Sequence, residues 1–179
     1  SGLAVSDLPY KTMIREHARW CETGGGEGSP SVFDGADLRA LETIRGFNLT
    51  ALSAKGAVFY GLDMEGVQLQ GAQLDGADLR ACSLRRADLR GARLINAKLS
   101  GADLRDAQMG PLLIGSNRLL PCNMTGAKLK NTDCARADMR QAILQDADLS
   151  RANFTGAQLK QINISGASRV GARGLSDVI

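Results

Sequence analysis

The chain has 179 residues, 44% of them apolar and 23% charged, with a net charge of +3 and a single histidine. That length fits one elongated domain with a short N-terminal addition. One histidine excludes most acid–base and triad chemistries, and no apolar run approaches the eighteen or so residues of a membrane span.

Asp7-Leu8-Pro9 marks a helix start with proline in the first turn, and the helix is predicted to run to about Glu22, before Gly24-Gly25-Gly26. Tyr10, Ile14, His17 and Cys21 share one face of it. His17 and Trp20 admit two readings, a partner site or a cap packed by its own aromatic ring.

Phe33 and Leu38 lie five apart but out of phase with the long series that begins at Ile44, because Leu38 to Ile44 is six residues. One residue is therefore inserted near Ala40-Leu41, the first coil is expected to be irregular, and Glu42 is not expected to point inward.

From Ile44 to Ile164 every fifth residue is apolar, 25 times in succession, a chance of about one in a billion at this composition. Neither a helix nor a continuous strand buries a five-residue series on one side, so the chain must bend once per repeat. A small residue, alanine in 14 cases, stands two positions before each large one, and a spacing of two puts both on one face of a short extended segment. The residue between them is mostly polar, as at Asp78, Asp88, Lys98 and Asp103, and is expected to point to solvent. Glycine stands two positions after the large residue in 11 repeats, where a tight corner needs it.

Ala77-Asp78-Leu79-Arg80-Ala81, Ala87-Asp88-Leu89-Arg90-Gly91 and Ala102-Asp103-Leu104-Arg105-Asp106 resemble the Ala-Asp/Asn-Leu-x-x consensus of the pentapeptide-repeat family. The resemblance implies an all-β solenoid: a right-handed quadrilateral β-helix of about six to seven coils, about 4.8 Å apart, with a short N-terminal capping α-helix. The implied organisation is a capping helix and Gly-rich linker over 1-30, the β-helix over 31-168 and a C-terminal tail over 169-179. At four pentapeptides per coil, one inward column is expected to read Ala54, Leu74, Leu94, Ile114, Cys134, Phe154. Another is expected to read Phe59, Leu79, Leu99, Leu119, Met139, Leu159.

The main anomaly is Gly110 to Pro121. It keeps the phase, with Ile114 and Leu119 in large slots, but Leu112 and Asn117 replace alanine, and Leu113 and Leu120 fall outward beside Pro111 and Pro121. Ile95, also outward, is expected one coil below Leu113. Two compatible readings stand: an apolar partner site on the rod, or a bulge or loop whose leucines fold back over it. Ile95, Leu113, Leu120 and Pro121 are the candidate partner-binding residues. After Ile164 the pattern fades, with Arg169 where a leucine is due.

Cys82, Cys122 and Cys134 fall at inward positions, with Cys82 and Cys122 expected on one column two coils apart, beyond disulfide reach. Their spacing matches no zinc motif. No metal, cofactor or catalytic residue is expected, and a cytoplasmic location is the default.

The family resemblance implies inhibition or protection of DNA gyrase by a rod similar to B-form DNA, and dimerisation through the C-terminal coil. Mimicry needs an acidic surface, whereas residues 44 to 166 carry 16 Lys/Arg against 11 Asp/Glu. Arg85, Arg86 and Arg90 are a candidate basic patch for weak nucleic-acid binding, but exposed aromatics for stacking are scarce, so nucleic acid ranks behind a protein partner. The resulting expectation is a non-catalytic interaction or scaffold module of bacterial type with no membrane contact, and topoisomerase modulation stands second.

Overall fold

The computed structural model describes residues 7–176 and Val178; Ser1 and Gly2 lie outside the described residues. Each repeat contributes a short extended segment and a corner. The corner closes on a hydrogen bond between residues three apart, as from Ala77 N–H to Leu74 C=O at 3.0 Å. Its third residue has positive φ, +68° at Gly76, the pattern of a type II turn. Ala51, Ala81, Asn96 and Asp106 occupy the same corner position at φ between 57° and 60°.

Segments stack in parallel at intervals of 20 residues, as in Asp63 with Ser83 and Asp78 with Lys98, giving a β-helix solenoid with four sides to each coil. Leu79 N–H donates to Lys98 C=O at 2.7 Å and Lys98 N–H to Ala77 C=O at 2.9 Å, so the ladder satisfies both backbone groups of each segment. The large and small inward residues fill the interior: Leu74, Leu79, Leu84 and Leu89 are fully buried with Ala72, Ala77 and Ala87, and Cys82, in the small slot before Leu84, is 1% exposed.

From Thr43 onward the interval changes once. Arg93 bridges Asn123, Lys98 bridges Lys128, Asp103 bridges Asp133 and Gln108 bridges Asp138, each 30 residues apart, and the interval then returns to 20. Ten residues have left the coil. The two inward columns expected to contain Ile114 and Leu119 are thereby corrected: beyond Met109 every column moves by half a coil. The first face runs Ile44, Met64, Leu84, Leu104, Cys134, Phe154, and the second Leu49, Leu69, Leu89, Met109, Met139, Leu159. The third runs Ala54, Leu74, Leu94, Met124, Leu144, Ile164, and the fourth Phe59, Leu79, Leu99, Leu129, Leu149. Cys82 and Cys122 consequently lie on different faces rather than on one column, and all four cysteines are free.

At the N-terminal end the interval is 21, with Val32 on Ser53 and Asp37 on Val58. The extra residue is absorbed by a 3₁₀ turn over Arg39–Leu41, where Leu41 turns inward and Glu42 is exposed at φ +62°. Helix α1, Asp7–Glu22, buries Ile14, His17 and Ala18. The Tyr10 and Phe33 rings are 6.2 Å apart, and His17 lies 6.5 Å from Phe33. His17 Nε2 faces Thr50 C=O at 3.4 Å, and Ser31 N–H donates to His17 Nδ1 at 3.2 Å, which sets the proton on Nε2. At the other end Leu159, Ile162 and Ile164 are half-buried.

Candidate interaction surface

The ten extra residues form a hairpin. Strand β1, Leu112–Ile114, pairs antiparallel with β2, Arg118–Leu120, in the register Leu112 with Leu120, Leu113 with Leu119 and Ile114 with Arg118. Gly115, at φ +64°, opens the three-residue turn.

Residues directly opposite share a face of an antiparallel ribbon. Leu112 and Leu120 face the rod and close over the corner at Gly91; a methyl there would meet both side chains. Leu112 also reaches towards Gly71, one coil nearer the N-terminus, so the hairpin folds back down the corner between the second and third faces. Leu113 and Leu119 face away and are 61% and 49% exposed. Ile114 and Leu119, expected in core slots, are therefore corrected to the hairpin, where Ile114 is half-buried.

Between the hairpin and the third face lies a groove of about 540 Å³, with Leu120 and Pro121 on one wall. Gln73, Arg93 and Asn123, bridge partners on successive coils, line its polar side with Lys55 and Asp75. Arg93 Nε donates to Asp75 at 2.6 Å. Of the sequence-derived candidates, the structure brings Leu120 and Pro121 to this groove and Leu113 to the opposite face of the hairpin. Ile95 is not one coil below Leu113. Thr125 stands above it, and the Ile95 N–H donates to Asp75 Oδ1 at 3.0 Å. Sequence reasoning misses Leu119 as an exposed partner of Leu113, because its phase matches the core series.

Arg85, Arg86 and Arg90 do not form a free cationic patch. Arg86 binds Glu65 at 2.5 Å, and Glu65 also holds Arg45 at 3.0 Å. Arg90 turns onto the second face and holds Asp88 at 2.7 Å. Arg85 is half-buried on the first face, and its Nε has no hydrogen-bond partner among the described residues.

Where the central polar residue of a segment is aspartate, it has a structural role beyond facing solvent. Asp78, Asp88, Asp103 and Asp138 each accept the N–H two residues on at 3.1 Å, and grip the guanidinium of that same residue, Arg80, Arg90, Arg105 or Arg140. The arginine hydrogen bond is the leading reason why the Asp78, Asp103 and Asp138 carboxyls are held below the usual carboxylate range. Two of these aspartates, Asp78 and Asp88, are buried. For these aspartates the expectation of simply pointing to solvent is corrected, since they cap the corner, whereas Lys98 at the same position is exposed as expected.

Burial pushes the thiols of Cys82, Cys122 and Cys134 up to about 12. Among the described residues no group of His, Cys, Asp and Glu is placed to hold a metal ion, and no helix is long and apolar enough to cross a membrane.

The family model for pentapeptide repeats matches this sequence in eight copies, over residues 45–80, 72–109 and 122–161. The gap between its last two matches contains the hairpin. Among solved structures, QnrB1, a plasmid-mediated fluoroquinolone resistance protein, aligns at 20% identity over 80% of this chain and 67% of its own, with a TM-score of 0.53. HetL, a pentapeptide repeat protein involved in heterocyst differentiation regulation from the cyanobacterium Nostoc sp. strain PCC 7120, aligns at 29% identity. That match covers 76% of this chain and 63% of HetL, with a TM-score of 0.29. A pentapeptide repeat protein from the Arabidopsis thaliana thylakoid lumen aligns at 28% identity over 66% of this chain and 68% of its own, also at 0.29. No curated protein matches the sequence.

Proposed function

The chain belongs to the pentapeptide-repeat family, and from that premise we propose that it is a non-catalytic protein-interaction module whose contact surface is the hairpin over 112–120. In this reading residues 1-30 close the N-terminal end of the rod, 31-168 form the rod and 169-179 are its tail. One observation carries the proposal: the exposed cross-strand pair of Leu113 and Leu119, held on a ribbon whose other side is anchored to the rod. Large apolar side chains set side by side on a protrusion suit a partner pocket, because their burial is worth roughly 1.5–3 kcal/mol each. The rod supplies stiffness, so docking orders little of this chain.

The test is affinity capture with the intact chain, compared with Leu113→Asp/Leu119→Asp and with Arg118→Gln. A partner retained by Arg118→Gln and lost by the double variant, at unchanged circular dichroism, supports the hairpin. An identical set of captured proteins from all three removes it.

A further inference from the structure

The positive balance of the repeat resolves into faces once the register through the hairpin is known. From Asp63 to Arg136 the first face carries Asp63, Glu65, Arg85, Arg86, Asp103, Arg105, Asp106, Asp133 and Arg136, four cations against five carboxylates. Ion pairs join them, such as Arg105 to Asp103 at 2.7 Å and Arg136 to Asp106 at 3.0 Å. On the second face Arg90 and Arg140 are matched by Asp88 and Asp138.

The fourth face differs. From Asp78 to Arg151 it presents Asp78, Arg80, Lys98, Lys128, Lys130, Asp148 and Arg151, five cations against two carboxylates, and Arg80 already holds Asp78 at 2.8 Å. Lys98 and Lys128 are bridge partners, adjacent on the surface though 30 residues apart in sequence. Like charges directly opposite in a sheet are unfavourable. Lys98, Lys128, Lys130 and Arg151 are all exposed, and none makes an ion pair among the described residues.

We propose that this face, centred on Lys98, Lys128 and Lys130, is a contact surface for the phosphate backbone of duplex DNA. Ammonium groups on two successive coils, about 4.8 Å apart at their roots and flanked in the same column by Asp78 and Asp148, form with Lys130 and Arg151 beside them a cluster of point charges on a stiff support. A duplex offers a stiff row of anions in return, whereas an acidic peptide would have to be ordered to follow the face. Single strands are disfavoured because bases need a ring to stack on. The nearest exposed ring on this face, Tyr60, is covered by Arg80 at 5.1 Å. The inference goes beyond the protein-interaction reading and stands on a different surface.

The test is fluorescence anisotropy of a labelled 24-base-pair duplex with the full chain, titrated over salt. With four cations engaged, log K is expected to fall by about 3.6 per decade of salt, about 0.9 per phosphate contact. Lys98→Gln/Lys128→Gln/Lys130→Gln should weaken binding at least tenfold and cut the slope to about 1, with no loss of thermal stability. The corresponding Lys→Arg triple variant should retain binding. Arg85→Gln/Arg86→Gln/Arg90→Gln should leave the slope unchanged, which separates this face from the first and second. Absence of binding at about 50 mM salt, or an equal loss in the Arg85→Gln/Arg86→Gln/Arg90→Gln variant, overturns the proposal. Displacement of the duplex by an equal charge of polyglutamate also overturns it, assigning the face to an acidic protein.

Discussion

A Cβ atom on Gly91 would lie 2.7 Å from Leu112 Cβ, so the corner of the rod and the first strand of the hairpin approach with room only for hydrogen between them. Gly91 also has φ +67°. The two demands can be separated, because Gly101 has φ +71° at an equivalent corner with open space around it. Gly101→Ala is expected to cost about 1 kcal/mol, the penalty of the left-handed conformation alone. Gly91→Ala adds a collision with a Cβ atom, which no rotamer change relieves. It should cost more in urea unfolding and raise the rate of proteolysis between 112 and 120. Equal costs and unchanged cleavage would contradict the anchoring described for Leu112.

Excision of Pro111–Leu120 together with Pro121→Gly, which supplies the positive φ that the third corner residue needs and proline cannot adopt, should leave the rod intact. Joining Gly110 to position 121 puts Met124 five residues after Met109, the ordinary repeat spacing. The interval from Arg93 to Asn123 would become 20, matching the coils on either side. The shortened chain is expected to unfold cooperatively, with a far-ultraviolet circular dichroism spectrum like the parent's. Aggregation or a non-cooperative transition would show that the hairpin is needed for folding rather than appended to the fold.

The same arithmetic explains what the sequence conceals. One inserted residue near Leu41 breaks a five-residue phase and is visible at once; ten inserted residues preserve it. Ile114 and Leu119 therefore have the phase of core residues, and only Leu112 and Asn117 in alanine slots, with two flanking prolines, mark the segment. The repeat, its corners and the position of α1 are legible because they depend on local periodicity. Which residues share a face beyond Met109 is not, since it depends on how many residues leave the coil. The charge pattern is hidden for the same reason: Lys98 and Lys128 meet only across the hairpin. The pairing of Asp78 with Arg80, and its four counterparts, is written in the recurring Asp-Leu-Arg and Asp-Met-Arg triplets, but polar triplets at outward positions read equally well as solvated surface.

Cysteine reactivity should divide by burial. A thiol pushed to about 12 is scarcely ionised at pH 8, and Cys82, Cys122 and Cys134 are also enclosed by the coil. Cys21 is half-buried on α1, with its own thiol raised chiefly by burial. Iodoacetamide on the folded protein should therefore give at most one adduct by mass spectrometry, on Cys21, against four in urea. Two or more adducts without unfolding would contradict the packing of the columns.

The N-terminal end should loosen in mild acid. His17 is buried, accepts Ser31 N–H through Nδ1 and turns Nε2 towards Thr50 C=O. Burial lowers its pKa, with the Thr50 carbonyl opposing in part. In the unfolded chain the group titrates near 6.5, so below that pH the unfolded state binds the proton first. Stability from this group is complete above about 6.5 and falls as the pH drops towards the folded value. A second proton would also turn Nδ1 into a donor facing the Ser31 N–H. Trp20 is the only tryptophan and lies 6.0 Å from His17, so its fluorescence reports the helix directly. The urea midpoint followed by Trp20 should be lower at pH 5.5 than at pH 7.5, and His17→Leu should flatten that dependence. A midpoint independent of pH in the parent chain would show that His17 is solvated and does not seal the first coil.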